Sequence, residues 1–262
     1  MVVDFRDFWS DHHEPHRFTP KQRKQIRQYE KRLLATTKMV SVPQKHMVNL
    51  MKKWSTIPVH LLSHSAYVAA DWSDGKVISD EFTMLYAGKL YPNGPGIIML
   101  MELLQQLSKN HTPKPFRCHF YVDDTTKLTE LAAAYGVSHL ITVNGWVSPS
   151  QLWVQLRSAH LLLITDSGVD EHFPMLPTKT FQYAYSGRQI LCLHKYENTE
   201  MQEFLDQYNA GTVCTDAGTA SAWVNALMKQ EELYSQLPPL RKILLREDMA
   251  AEYGAAIMKI LN

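Results

Sequence analysis

Residues 161–193 constrain the fold more than any other part of this 262-residue chain. Leu161–Thr165 is an unbroken apolar run of strand length that ends in polar Asp166 and Ser167. Pro177 suits the first turn of a helix, where its fixed φ is already helical and its missing N–H is not needed. The helix expected over 178–185 stops at Gly187, which takes a left-handed cap without strain. Ile190–Leu193 is a second short apolar run. Strand, polar loop, helix and strand form one unit of an open α/β sheet, and such sheets build anion-binding crevices at the carboxyl ends of their strands. Lys179, in the first helical turn, adds a full positive charge.

The same alternation runs through the preceding 80 residues. Phe82–Tyr86 reads as an apolar strand that leads into Ala87, Gly88, Lys89 and Leu90. A helix is expected over 97–107, a strand over 117–122, a helix over 127–135 and a strand over 140–143. Asn144, Gly145, Trp146 and Val147 follow, and then Ser148, Pro149, Ser150 and Gln151, which form a good helix N-terminus. Strands and helices alternating at these lengths specify a parallel sheet with right-handed crossovers.

These segments resemble the donor lobe of retaining GT-B glycosyltransferases of the GT4-like group. In that family the phosphate loop runs roughly Glu, seven residues, Glu, small residues, Gly and a strand. Here Gln182 stands at the second Glu position, five residues before Gly187, and Pro174 falls on the first, with Glu171 close by. Many bacterial polysaccharide-building relatives carry Pro-x-Lys-x-x-Glu-Tyr instead, and Pro177, Lys179, Gln182 and Tyr183 follow that version. Gly88-Lys89 resembles the family's diphosphate-contacting Gly-Arg/Lys. The second family lysine is absent, leaving Gly94 and Gly96. Earlier in the chain, residues 2–9, 30–43 and 59–65 resemble the last strands and helices of the family's acceptor lobe.

The resemblance implies a Rossmann-like parallel sheet with helices on both faces, plus a partial second α/β lobe. Residues 1–65 would be a remnant of the acceptor lobe, 66–80 a linker, 81–242 the nucleotide-sugar lobe, and 243–262 a helix crossing back to the first lobe. The implied activity is that of a metal-independent hexosyltransferase making a polysaccharide or glycolipid. Its donor would be a UDP- or GDP-linked sugar, with no other cofactor, and its acceptor a lipid-linked or free saccharide. Gly88, Lys89, Lys179 and Thr178 are assigned to the donor diphosphate, Gln182 to the ribose, and Trp146 and Val147 to the base. Asp166, Ser167 and Glu171 are crevice candidates, and no catalytic residue is singled out. A chain of this kind is expected to be a poor transferase alone and to self-associate, or pair with a missing lobe, through residues 1–65. A non-catalytic nucleotide-sugar-binding partner subunit is the alternative, favoured by Gln182 in place of Glu. A GT-B-shaped sugar-nucleotide epimerase also stays open.

Composition agrees with a cytoplasmic α/β protein: 45% of residues are hydrophobic and 20% charged, with a formal net charge of +1. No apolar run reaches membrane-spanning length, and Asp4, Arg6 and Asp7 interrupt any apolar leader. Cys118, Cys192 and Cys214 all fall in expected strands and read as reduced core residues. Charge is unevenly placed: residues 17–53 hold eleven Lys and Arg against one acid, Glu30. That balance is open between a solvated helix face and attraction to an anionic surface, which would make the protein peripheral at the inner membrane face. Nucleic acid is not expected, since no basic stripe interleaved with aromatics is present. No Gly-x-Gly-x-x-Gly follows a strand, which argues against a nicotinamide dehydrogenase. His12, His13 and His16 read as a solvated loop cluster and not as a metal site. Asp123-Asp124 reads as a turn, with aspartate capping the next helix.

Overall fold

Helix caps and short apolar runs set the elements of the computed structural model, which describes residues 1–7, 9–10, 18–76, 80–166, 176–197, 199–230, 237–243 and 245–261. The chain divides into two compact units. One holds the described parts of 1–66, 169–178 and 244–262, and the other those of 67–168 and 179–243.

The first unit is a three-stranded parallel sheet in the order β1-β2-β3, made of β1 (Val2–Asp4), β2 (Met39–Val42) and β3 (Val59–Leu61). Helices α1 (Pro20–Ala35) and α2 (Lys45–Trp54) connect these strands. Thr19 and Gln22 form a reciprocal capping box at the start of α1, with Pro20 in the first turn, so the orphan N–H groups there are met. The central strand β2 is buried along its whole length. Its Val40 and Val42 pack with Phe5, Leu34, Met47 and Met51 to form the core. A last helix, Arg246–Leu261, belongs to the same unit, and Leu245, just before it, bridges Ala66.

The second unit is a six-stranded parallel sheet built from β4 (Phe82–Ala87), β5 (Phe116–Tyr121), β6 (Ile141–Asn144), β7 (Leu161–Thr165), β8 (Gln189–Leu193) and β9 (Gly211–Cys214). Its order is β6-β5-β4-β7-β8-β9, and helices flank it in Rossmann-like fashion. These are α3 (Pro95–Lys109), α4 (Thr125–Ala134), α5 (Pro149–Ser158), α6 (Lys179–Tyr185), α7 (Thr199–Gln207) and α8 (Ala217–Met228). The central strands β4 and β7 are buried at every residue, whereas every residue of the edge strand β6 is only half-buried. That is why the inner strands read as unbroken apolar runs. Leu100, Leu103, Leu104 and Leu107 of α3 share one core with Phe82, Met84, Leu163, Leu191 and Val224.

Most boundaries fall within two residues of the sequence expectation, and the shifts have local causes. Helix α3 begins at Pro95, not at residue 97, because a proline fits the first turn. Helix α4 begins at Thr125 because the Asp124 side chain accepts the Lys127 N–H at 3.1 Å. Ser148 and Gln151 form the capping box of α5. Gly187, with φ of 84°, ends α6. All three cysteines lie in strands, buried and free.

One segment expected as a linker is held firmly to the second unit. The Asp74 carboxylate takes a two-point ion pair from Arg157, at 2.7 and 3.1 Å. The Arg157 guanidinium also donates to the carbonyls of Ser186 and Pro238.

Candidate functional site

In the six-stranded sheet the chain leaves β4 towards β5 and β6, but leaves β7 towards β8 and β9. The strand order reverses between β4 and β7. At such a switch point the two loops part and leave a crevice at the carboxyl ends of the strands. Gly88 follows β4, Asp166 follows β7 and His194 follows β8, so all three belong to this end of the sheet.

Lys179 reaches this end from the first residue of α6. Its Nζ donates to the carbonyl of Ala87 at 3.2 Å and lies 4.6 Å over the Tyr86 ring. Burial removes water from the ammonium and lowers its pKa to about 8. Tyr183, one turn further along α6, brackets the same peptide: its hydroxyl accepts from the Ala87 N–H at 3.2 Å and donates to the Ala87 carbonyl at 3.4 Å. Burial pushes that phenol up, so it stays neutral. Two side chains of α6 thus clamp the end of β4.

Gly88 is exposed and has φ of 123°, a conformation that side chains avoid. A Cβ placed there would lie 3.6 Å from the Lys179 Nζ, so Gly88 and Lys179 are neighbours. The Gly88 N–H is taken, since it donates to the Tyr121 carbonyl at 3.0 Å. What Gly88 offers is open space beside an ammonium group. Lys89 is exposed, with its Nζ 4.9 Å over the Tyr91 ring, and its carbonyl accepts the Tyr86 hydroxyl at 2.7 Å. Thr178 is exposed just before α6. Gln182 is half-buried and lies three residues after Lys179, on the same face of the helix.

Trp146 and Val147 sit between the end of β6 and the capping box of α5. Trp146 is 80% exposed. They are two strands away from β4, about 10 Å across the sheet. Asp166 is buried at 7% exposure; its Oδ2 accepts from the Lys195 N–H at 3.4 Å and lies 3.9 Å from His194 Nε2. Ser167 and Glu171 lie outside the described residues, as do His12, His13 and His16. No group of three metal-ligating side chains occurs among the described residues.

The sequence marks Tyr183 only through the Pro-x-Lys-x-x-Glu-Tyr pattern and Asp123 only as part of a turn, and it marks neither His194 nor Lys195. Asp123 Oδ1 accepts from the N–H groups of Leu90 at 3.4 Å and Asp124 at 3.0 Å, tethering the loop that carries Lys89. The bond from Leu90 helps to hold that carboxyl below the usual range. His194 Nδ1 lies 2.7 Å from the Tyr196 carbonyl. No spacing rule marks the bonds from Leu90 to Asp123 and from Lys195 to Asp166, because they form only when strands pair.

Known structures share this architecture across the whole chain. Sucrose-phosphate synthase from Thermosynechococcus elongatus superposes with a TM-score of 0.68 at 14% identity, over 99% of this chain and 67% of its own. WaaG, a glycosyltransferase involved in lipopolysaccharide biosynthesis, does so at 0.64 and 14%, over 89% and 67%.

The chain has the GT-B glycosyltransferase fold.

The S. aureus MnaA–UDP structure gives a TM-score of 0.55 at 14% identity, over 100% of this chain and 68% of MnaA. Against TarM the chain spans half the length of that protein. No protein-family model matches the sequence, and no curated protein does. Within the GT-B frame, the β4–β7 switch point is where Gly88 and Lys179 meet. No helix among the described residues is long and apolar enough to cross a membrane.

Proposed function

We propose that this chain is a retaining, GT4-like glycosyltransferase whose Rossmann-like lobe, residues 81–242, binds a UDP- or GDP-linked sugar for polysaccharide or glycolipid synthesis. The observation that carries this reading is Lys179, a desolvated ammonium beside the open Gly88 at the switch point of a parallel sheet. A half-buried, desolvated cation held by one carbonyl and one aromatic ring is incompletely compensated, and an arriving diphosphate compensates it. Transfer breaks the bond between the anomeric carbon and a phosphate oxygen and forms one from that carbon to an acceptor hydroxyl oxygen, whose proton passes to the leaving diphosphate, and negative charge grows on that diphosphate as it departs. Lys179 and Lys89 stabilise that charge electrostatically, so the reaction is proposed to be metal-independent.

In this reading Gly88, Lys89, Thr178 and Lys179 hold the diphosphate. Gln182 meets the ribose, and Trp146 and Val147 meet the base. Gln182 binds ribose more weakly than a carboxylate would, since hydrogen bonds to charged acceptors are the stronger ones. The acceptor is proposed to be a lipid-linked or free saccharide. Residues 1–65 supply part of the acceptor lobe and the surface for self-association or a partner lobe, and the basic 17–53 segment supplies peripheral membrane contact. Support comes from the proteins of this fold whose structures hold UDP, MnaA and TarM among them.

A second reading, a nucleotide-sugar-binding partner subunit without turnover of its own, is favoured by Gln182. Calorimetry with UDP, GDP and ADP, followed by donor-hydrolysis and transfer assays, separates the two. Binding with turnover supports the transferase, and binding without turnover supports the partner subunit. No binding at millimolar nucleotide removes the donor site and both readings with it.

A further inference from the structure

Gln44 departs from the pattern of the other helix caps. Thr19, Asp124, Ser148 and Asp216 each turn a side-chain oxygen back to an N–H of the helix they open. Gln44 opens α2 and makes no such bond. Its side chain reaches instead to a carbonyl 132 residues along the chain: Nε2 donates to the Leu176 oxygen at 3.3 Å. Gln44 and Leu176 are each only 6% exposed, so this is a buried bond. Both residues belong to the first unit, and the chain enters the second at Lys179.

Leu176 stands three residues before Lys179, which is the first residue of α6. Little freedom separates the two. Pro177 has a locked φ, and the residue ahead of a proline is held to extended backbone. Helix α6 has only seven residues, and the first N–H groups of any helix lack an intrahelical partner. Its first turn is therefore held largely by the chain that leads into it. Its far end is held separately, since Arg241 donates to the Ala184 carbonyl at 3.3 Å and Arg157 to the Ser186 carbonyl at 2.6 Å.

We propose that Gln44 is a positioning residue for the donor-site lysine: its bond to the Leu176 carbonyl holds the chain entering α6 and so keeps the Lys179 Nζ at the Ala87 carbonyl beside Gly88. Without that bond the first turn frays and the ammonium moves out into water. Gln44 acts through the chain and not on the ligand. Its role in binding rests on the donor reading of Lys179, but the place of the ammonium can be measured with no nucleotide present.

The test labels the full chain with ε-¹³C lysine and titrates the Lys179 resonance, assigned by its loss in Lys179→Met. Tyr86, Tyr183 and Cys192 are its titratable neighbours, and burial raises all three, so the midpoint belongs to the lysine. The wild-type midpoint is expected at about 8. Gln44→Met keeps the volume and loses the donor. Its Lys179 midpoint is expected to climb towards the ordinary value of about 10.4. UDP affinity at neutral pH, read by calorimetry, should fall about fivefold, the worth of a typical hydrogen bond. Pro177→Gly loosens the same strap at a half-exposed position and leaves Gln44 intact, so it serves even if Gln44→Met fails to fold. It should move both readouts the same way. Thr19→Ala removes the capping box of α1 in the same unit and should move neither. An ordinary midpoint in the wild type, a midpoint unmoved by both strap variants, or equal shifts from Thr19→Ala would each overturn the proposal. Midpoints that move as expected in a protein that binds no UDP would support the positioning role and sink the donor reading alone.

Discussion

Replacing Lys179 with methionine separates a ligand-binding lysine from a structural one, because the two roles move stability in opposite directions. Burial brings its pKa from 10.5 to about 8. Each pKa unit is worth about 1.4 kcal/mol, so keeping the ammonium charged in the empty protein costs about 3 kcal/mol at neutral pH. The bond to the Ala87 carbonyl and the contact with the Tyr86 ring offset part of that. Methionine fills a similar volume without charge, and the Ala87 carbonyl keeps the Tyr183 hydroxyl. Differential scanning calorimetry of the unliganded variant should show Tm raised by about 2–6 °C, which corresponds to a net gain of roughly 1–2 kcal/mol. UDP affinity should fall at the same time by about 1.5–3 kcal/mol, the range for a hydrogen bond to a charged group.

The sign of the pH dependence follows from the lowered pKa. Between pH 8 and 10.5 the unfolded chain holds the Lys179 proton and the folded chain has lost it, so wild-type stability rises with pH across that window. The gap between variant and wild type should close there. UDP binding needs the proton, so wild-type affinity should fall by about tenfold from pH 7 to 9, while the methionine variant shows no such step. A variant that loses stability and keeps its UDP affinity would refute the reasoning, and would make Lys179 a strut between α6 and β4.

Gly88→Ala should destabilise the protein by about 1–3 kcal/mol, read by urea unfolding, because φ of 123° is strained for alanine. The added methyl beside the Lys179 Nζ should also weaken UDP binding in calorimetry. Asp74→Asn removes the carboxylate partner of Arg157, a residue only 4% exposed; a loss of about 2 kcal/mol is expected, reduced from the fully buried case because Asp74 is half-exposed. The hydrogen bond from Arg157 holds the Asp74 carboxyl below its ordinary value, so that contribution is present above the unfolded pKa and should fade in acid as pH drops through the folded one.

Parts of this architecture are legible in the sequence because their signals are local. The capping boxes at Thr19–Gln22 and Ser148–Gln151, the stop at Gly187 and the buried runs of β4, β7 and β8 each lie within a few residues of chain. Backbone sterics and hydrogen-bond supply over one turn decide such features. The order in which the elements recur then limits the sheet to a parallel one. The Asp123-Asp124 pair shows where this reading stops. Asp124 caps α4 as its position suggests, but Asp123 turns to the Leu90 N–H 33 residues away.

Asp74 and Gly75 have a loop's composition, yet the ion pair across 83 residues to Arg157 ties that stretch to the body of the second unit. Lys179 is the clearest case. Its charge and its place at the start of a helix are plain in the chain, and so is a glycine after an apolar strand at residue 88. Their meeting spans 92 residues, from Lys179 to the Ala87 carbonyl, and it depends on β7 pairing with β4 so that α6 overlies the strand end. The identity of a side chain is written one residue at a time. Desolvation is set by all the atoms that surround it, and those are brought together only by the tertiary fold.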